Sequence, residues 1–234
     1  MFPVLLRRRE EMASDVARYE FAAPDGSDLP PFAAGAHIDV MIAPEYQRPY
    51  SLAGDPADRS KYVLGVLREA QGRGGSALMH RVFREGKKVF ITRPTNHFLL
   101  HEDASFTLLL AGGIGVTPLI AMAHRLHALG KPFALHYSAA SRASAGFLDD
   151  LAQVPWSDRV VHHFKDEGAR ADLMSLTPPY QAGMHVYTCG APRYMDGVFE
   201  AATARGWPEE AMHREYFNVP EADAWVNRPF VLRL

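Results

Sequence analysis

Between His37 and Ile42 apolar and polar residues alternate: Ile38, Val40 and Ile42 fall on one side, His37, Asp39 and Met41 on the other. A period of two marks a strand with one covered face. Tyr62 to Arg68 and Lys88 to Thr92 are two further strand candidates. Turn signals separate them at Pro24-Asp25-Gly26, Gly54-Asp55-Pro56 and Gly86. A single helix-like stretch, Ser76 to Phe83, interrupts this pattern. Many short strands with one helix predict a small antiparallel β-barrel in the first hundred residues.

The texture changes near residue 100. Leu108, Leu109 and Leu110 form a continuous apolar run, as in a parallel strand covered on both faces. Gly112, Gly113 and Gly115 follow, then Thr117, placed to cap a helix, and Pro118, suited to a first helical position. Leu119, Ile120, Ala123 and Leu126 recur at helical spacing, and Gly130 is a stop signal. Phe106–Leu110, Phe133–Tyr137, Arg159–Phe164, His185–Cys189 and Ala211–Phe217 read as strands. Pro118–Leu129, Ala145–Gln153 and Arg193–Arg205 read as helices. That alternation predicts an α/β unit, a parallel sheet with helices on both faces. The boundary falls at His101–Ser105, which gives a barrel over residues 1–102, an α/β domain over 103–225 and a remainder at 226–234.

The chain has 234 residues, 47% of them hydrophobic, enough for a full core. Twenty-five basic and 27 acidic residues leave a net charge of -2, so nothing asks for nucleic acid or an acidic membrane surface. The mixed run from Arg7 to Glu11 reads as a solvated strand edge or face. The apolar part of the first ten residues is too short for a signal peptide, and no run approaches membrane-spanning length. One cysteine, Cys189, excludes an internal disulfide, fits a reducing cytoplasm, and excludes an iron–sulfur cluster held by four cysteines of this chain. Of the 11 histidines, His162 and His163 are neighbours pointing to opposite faces of a strand. His124 and His127 lie on a helix without a carboxylate or cysteine partner, so no metal site is expected.

Three stretches carry chemistry. A glycine loop feeding a helix suits a phosphate-bearing ligand. The spacing Gly113-x-Gly115-x-x-Pro118 is not the usual dinucleotide fingerprint, and a tight strand–helix turn would use the same glycines. In Arg48-Pro49-Tyr50-Ser51 the arginine suits a phosphate, the ring can lie against a flat cofactor, and the hydroxyl can hydrogen-bond a ring nitrogen. An exposed strand end would look alike. Gln71-Gly72-Arg73-Gly74-Gly75-Ser76, with a capping serine ahead of a helix, is a second anion site or a flexible hairpin loop.

Taken in order, RPYSLAG at Arg48, YVLGVLRE at Tyr62, GRGGS at Gly72, PTNHF at Pro94, LLAGGIGVTPLIAM at Leu109, YTCGAPRYMD at Tyr187 and EYF at Glu215 resemble the ferredoxin–NADP reductase superfamily. The resemblance is closest to the phthalate dioxygenase reductase branch, which serves oxygenases and demethylases, and it covers nearly the whole chain. It implies a flavin on the barrel: Arg48 at the flavin phosphate, Pro49 and Tyr50 along the ring and ribityl chain, Ser51 at flavin N5. Gly65, Val66 and Leu67 would meet the polar edge of the ring, and Gly72, Arg73, Gly74, Gly75 and Ser76 would cradle the phosphate. The GRGGS form resembles the FMN branch, while FAD stays open because both branches share the Arg-x-Tyr-Ser motif.

For the α/β half, the resemblance implies a pyridine nucleotide on Gly112, Gly113, Gly115 and Thr117. Cys189 and Gly190 would lie beside the nicotinamide, with Cys189 positioning the hydride donor. The branch usually continues with proline, whereas Ala191 here precedes Pro192. Glu215 and Phe217 match an acidic residue and an aromatic after the last strand; Phe217 would stack on the flavin face that the nicotinamide must reach. Ser138 to Arg142, with Ser141 and Arg142 as the candidate contacts, follow the second strand, where the adenosine ribose should lie. Arg142 has no acidic neighbour on that turn, which would suit NADPH, yet the branch mostly uses NADH, so the resemblance implies NADH.

The implied activity is electron transfer from NADH through FMN to a 2Fe-2S ferredoxin domain or protein, and through it to a terminal oxygenase, with the cluster outside this chain. The segment from Pro229 to Leu234 resembles the first strand of such a ferredoxin domain. A free-standing flavin reductase and a nucleotide-binding module without turnover are the alternatives.

Overall fold

The structure, a computed structural model, describes residues 1–44, 46–69 and 74–217. Among these, six strands form an antiparallel sheet: β1 Phe2–Ala13, β2 Val16–Ala22, β3 His37–Ala43, β4 Tyr46–Ser51, β5 Tyr62–Leu67 and β6 Lys88–Ile91, in the order β4-β3-β6-β1-β2-β5. An antiparallel bridge between Leu52 and Leu64 joins the two outer strands and closes the sheet into a barrel. Ile38 and Val40 of β3 are fully buried and Ile42 nearly so, while Met41 faces out, as the alternation requires. The inward side chains, among them Val4, Leu6, Tyr19, Phe21, Leu52 and Leu64, form one apolar core under the helix α1 Gly75–Val82.

The β1–β2 hairpin goes beyond the sequence reading, which gave a strand edge or face at Arg7 to Glu11 and no pairing partner for it. Leu6 is buried and Arg8 is exposed, and the pairing register with β2 shifts between them. That irregularity breaks the period of two where the charged run begins. Arg8–Glu10 and Arg9–Glu11 pair along the same strand and keep the run solvated.

The second sheet is parallel and has the order β11-β10-β7-β8-β9. Its strands are β7 Phe106–Gly112, β8 Phe133–Ala139, β9 Val160–Phe164, β10 Met184–Cys189 and β11 Met212–Glu215. The helices are α2 Val116–Ala128, α3 Leu148–Gln153, α4 Leu173–Leu176 and α5 Pro192–Ala204. β7 explains its own apolar run. Leu109 and Ala111 enter the core shared with α2, whereas Leu108 and Leu110 enter the core shared with α5 on the other face. At about 1.5–3 kcal/mol per buried leucine, this one strand is a main anchor of the unit.

The start of α2 differs from expectation for a local reason. α2 begins at Val116 with Gly115 as its cap, so Thr117 is not the capping residue; its Oγ1 instead donates to the Ile114 carbonyl at 3.0 Å. Pro118 is then the third helical residue, where its missing N–H costs no bond. A short 3-10 turn, Gly113–Gly115, closes the connection before the threonine is reached. The last strand also stops earlier, at Glu215.

The two sheets share a packed joint. Phe147, buried and held at φ 66, sets its ring against Gly65 of β5. Arg18 of β2 pairs with Asp150 of α3, and Ser14 donates its backbone N–H to the Ala143 carbonyl at 3.0 Å. Residues 226–234 lie outside the described residues, as do Gly72 and Arg73. Among the described residues no helix is long and apolar enough to cross a membrane.

Candidate functional site

In a parallel sheet a ligand crevice opens where strand order reverses, outside the carboxyl ends of the strands. Here the chain runs outward from β7 through β8 to β9, then returns to place β10 on the other side of β7. The reversal therefore lies between β7 and β10, at Gly112–Gly115 and Cys189–Gly190. Backbone meets backbone there. A Cβ on Gly115 would stand 2.2 Å from the Cys189 carbonyl oxygen, and one on Gly190 would stand 2.7 Å from the Gly112 carbonyl oxygen. Gly190 has φ +153, outside the range of most side-chain-bearing residues. The departure at Ala191 is accommodated without cost: Ala191 is the cap of α5 and Pro192 its first residue.

The N-terminus of α2 has no side-chain cap and opens toward the crevice, although the Val116 N–H already bonds back to the Gly113 carbonyl in the preceding turn. Tyr194 of α5 covers Gly112, and its hydroxyl lies 3.3 Å from that of Ser138. Ser138 opens the SAASR stretch and Tyr194 lies in the YTCGAPRYMD motif, but nothing in the sequence joins the two.

The barrel supplies the opposite wall. Ser51, at the end of β4 and 6% exposed, donates its hydroxyl to Glu215 Oε2 at 3.3 Å. Glu215 is the register partner of Cys189 across β10 and β11. Residues 164 apart in sequence thus bring Arg48-Pro49-Tyr50-Ser51 to the mouth of the crevice. Burial raises the Glu215 carboxyl to about 7, against the opposing hydrogen bond from Ser51. Burial, then the Glu215 charge, pushes the Cys189 thiol well up, so it stands as a neutral, buried group. Phe217 is 39% exposed beside this gap, which rules out a core phenylalanine.

The barrel also carries Arg48 to the start of α1. Gly74, left-handed at φ 82, caps α1 without any side-chain hydrogen bond. Gly75 packs against the Arg48 side chain, whose guanidinium stands 5.4 Å over the Tyr46 ring. An arginine at an uncapped helix N-terminus suits a phosphate. Ser76 is not the cap expected of it: its hydroxyl accepts the Glu69 backbone N–H at 3.1 Å, because Gly74 has already closed the turn. A cleft of about 700 Å³ opens beside Gly74, lined by Tyr46, Arg9, Arg68 and Arg81. Burial also pushes the Tyr50 hydroxyl pKa up. Gly65 and Val66 are buried; Gly65 faces Phe147 and Thr117, so any ligand there meets its backbone rather than its Cα face.

Ser141 and Arg142 do not join this gap; they lie beyond β8. Ser141 spends its hydroxyl on Ser144 in a capping box. Arg142 holds Glu167 through Nε at 2.9 Å and stacks on the Phe164 ring at 4.5 Å. The acidic neighbour missing from its own turn arrives from the end of β9. A further departure concerns metals: His101, His185 and His213 gather into one cluster, whereas the histidine pairs weighed from sequence do not.

No protein-family model matches the chain. It is 44% identical over 202 residues to the reductase subunit of the tert-butanol monooxygenase / tert-amyl alcohol desaturase of Aquincola tertiaricarbonis, covering 85% of this chain and 59% of that protein. It is 38% identical over 235 residues to the vanillate O-demethylase oxidoreductase of Pseudomonas putida, covering 100% of this chain and 74% of that one. A solved phthalate dioxygenase reductase, described as a modular structure for electron transfer from pyridine nucleotides to 2Fe-2S, superposes with a TM-score of 0.88 at 34% identity, covering 95% of this chain and 70% of that chain. The chain thus spans between 59% and 74% of the length of these curated relatives.

Proposed function

Since the chain belongs to the family of oxygenase and demethylase reductase components that includes vanillate O-demethylase oxidoreductase and phthalate dioxygenase reductase, we propose that it oxidises NADH through bound FMN and passes the electrons to a 2Fe-2S carrier of an oxygenase or demethylase system. The observation that carries the proposal is the meeting of Ser51 with Glu215 beside Cys189. It sets the barrel's anion cradle and the sheet's crevice on either side of one gap. In this reading residues 1–102 hold the flavin and 103–225 the nucleotide, and the protein works in the cytoplasm.

The residues present fit both cofactors. Arg48 and the N–H groups at the start of α1, which has no side-chain cap, would hold the flavin phosphate, with Gly74, Gly75 and Ser76 shaping the turn; Gly72 and Arg73 belong to the same motif. Ser51, buried and with one long hydrogen bond, has a hydroxyl to offer a ring nitrogen. Pro49, Tyr50 and the backbone of Gly65, Val66 and Leu67 would flank the ring, and Phe217 would cover its exposed face. When bound, the flavin supplies the change from a two-electron hydride transfer to one-electron steps.

The protein's own contribution is orientation. Gly112, Gly113, Gly115 and Thr117 shape the floor on which a dinucleotide lies. Gly190 lets the backbone close on that floor. Cys189 presents an uncharged thiol, so a neutral ring can rest on it without a desolvated charge below. Glu215 titrates near neutrality and can hold a proton while Oε2 accepts from the Ser51 hydroxyl. Arg142 is already neutralised by Glu167, so a ribose phosphate would have to displace that carboxylate. This favours NADH over NADPH.

The test is flavin-dependent reduction of a separate 2Fe-2S ferredoxin by the full chain, with NADH and NADPH compared. The proposal expects cluster reduction that requires FMN and runs faster with NADH. Rapid flavin reduction with no transfer to any ferredoxin, only to free flavin, would overturn it.

A further inference from the structure

Away from the gap, three imidazoles come together from three segments. His101 lies in the connection before β7, His185 is the second residue of β10, and His213 is the second residue of β11. His185 Nδ1 and His213 Nε2 are 2.9 Å apart. The His101 ring stacks on His185 with centroids 4.4 Å apart, and on His213 at 5.0 Å. One ring nitrogen of each lies within 4.8 Å of those of the other two. The cluster sits at the amino end of β10, about 13 Å along the strand from Cys189.

The frame holding these rings is built. The His101 backbone N–H donates to the Tyr187 hydroxyl at 2.8 Å, and that hydroxyl donates to the Leu99 carbonyl at 3.1 Å. The Tyr187 ring is fully buried, and the His213 ring stacks on it at 4.4 Å. One buried tyrosine thus fixes the loop that carries His101 and the face that carries His213.

We propose that His101, His185 and His213 form a binding site for a divalent transition-metal cation of the zinc, nickel and copper kind, with solvent completing the coordination. Three imidazoles are borderline ligands that suit these ions and not magnesium or calcium, which require oxygen. His185 and His213 already face one another through a single shared hydrogen bond, and a cation can take the place of that proton. Metal–nitrogen bonds of about 2.0–2.1 Å in a tetrahedral site put the two nitrogens about 3.3 Å apart, a few tenths beyond the observed spacing. His101 is exposed, so its ring can turn from stacking to pointing a nitrogen inward. The bound cation would tie the connection to β10 and β11 and stabilise the fold by mass action.

The metal-stripped full chain is titrated with zinc, nickel and magnesium chlorides, with binding read by calorimetry and stability by thermal unfolding. The site predicts one zinc per chain, a raised Tm with zinc or nickel, and no response to magnesium. Loss of a partner group behind a ligand alone weakens metal binding about tenfold or more, so His101→Ala should weaken zinc by at least that and abolish the Tm rise. His97→Ala, exposed and outside the cluster, should leave both unchanged. An absence of saturable zinc binding, or the same affinity in His101→Ala, would overturn the proposal. Neither readout uses the flavin or NADH.

Discussion

The two walls of the gap are made differently. In the proposed reading the barrel wall would work through side chains, Arg48, Tyr50 and Ser51, mounted on β4. The sheet wall is shaped by backbone, with Gly115 and Gly190 closing on Cys189 and Gly112. Side chains can be removed one property at a time. A wall of backbone contacts has no spare volume, so a change there disturbs fold and binding together.

Gly115→Ala tests that difference most severely. Its Cβ would strike the Cys189 carbonyl, a backbone atom that cannot swing aside. A loss of about 3 kcal/mol or more is expected in urea unfolding. Unchanged stability would show that the sheet wall is as yielding as the barrel wall. Arg48→Ala should behave in the opposite way. Losing a charge-assisted phosphate contact costs about 2 kcal/mol, or roughly thirtyfold in FMN affinity by fluorescence titration, with little change in unfolding. Full flavin retention would remove Arg48 from the cradle.

Cys189→Ala separates orientation from binding. Flavin reduction by NADH in a stopped flow should slow about tenfold while FMN affinity holds. An unchanged rate would strip Cys189 of its proposed role.

Glu215 gives the smallest effect and the one with a pH signature. Its pKa in the folded chain, about 7, lies above the ordinary carboxyl value of 4.5, so the folded state binds its proton more tightly. The resulting stabilisation is full below the unfolded value and is lost as pH rises through about 7. The shift sets a ceiling near 3 kcal/mol, and solvent reaching the partly exposed carboxylate reduces it to about 1 kcal/mol. Glu215→Gln should flatten the pH profile of Tm between these values and be the more stable form above pH 7. A Tm difference from wild type that does not change with pH would contradict the shift.

Much of the fold was legible because its apolar pattern is local. β3 alternates and β7 is continuous, and each side chain goes where that pattern sends it. β1 was legible only as a strand edge at Arg7 to Glu11; its full length and its pairing were hidden, since a register irregularity coincides with the charged run. Thr117 and Ser76 were misread as caps because a glycine just ahead of each closes its turn first. At the site, the motifs pointed to Ser51 and Glu215 separately, but nothing in the spacing joins residues 164 apart. Glu167 beside Arg142 and the trio of His101, His185 and His213 were hidden for the same reason: their segments meet only in the folded sheet.

The central claim is that the two walls act on one hydride. It is tested most directly by following the visible spectrum of the FMN-loaded chain anaerobically as NADH is added. The account predicts bleaching of the bound flavin at one NADH per flavin. A flavin that stays oxidised while NADH demonstrably binds would mean that the two walls do not serve a common reaction.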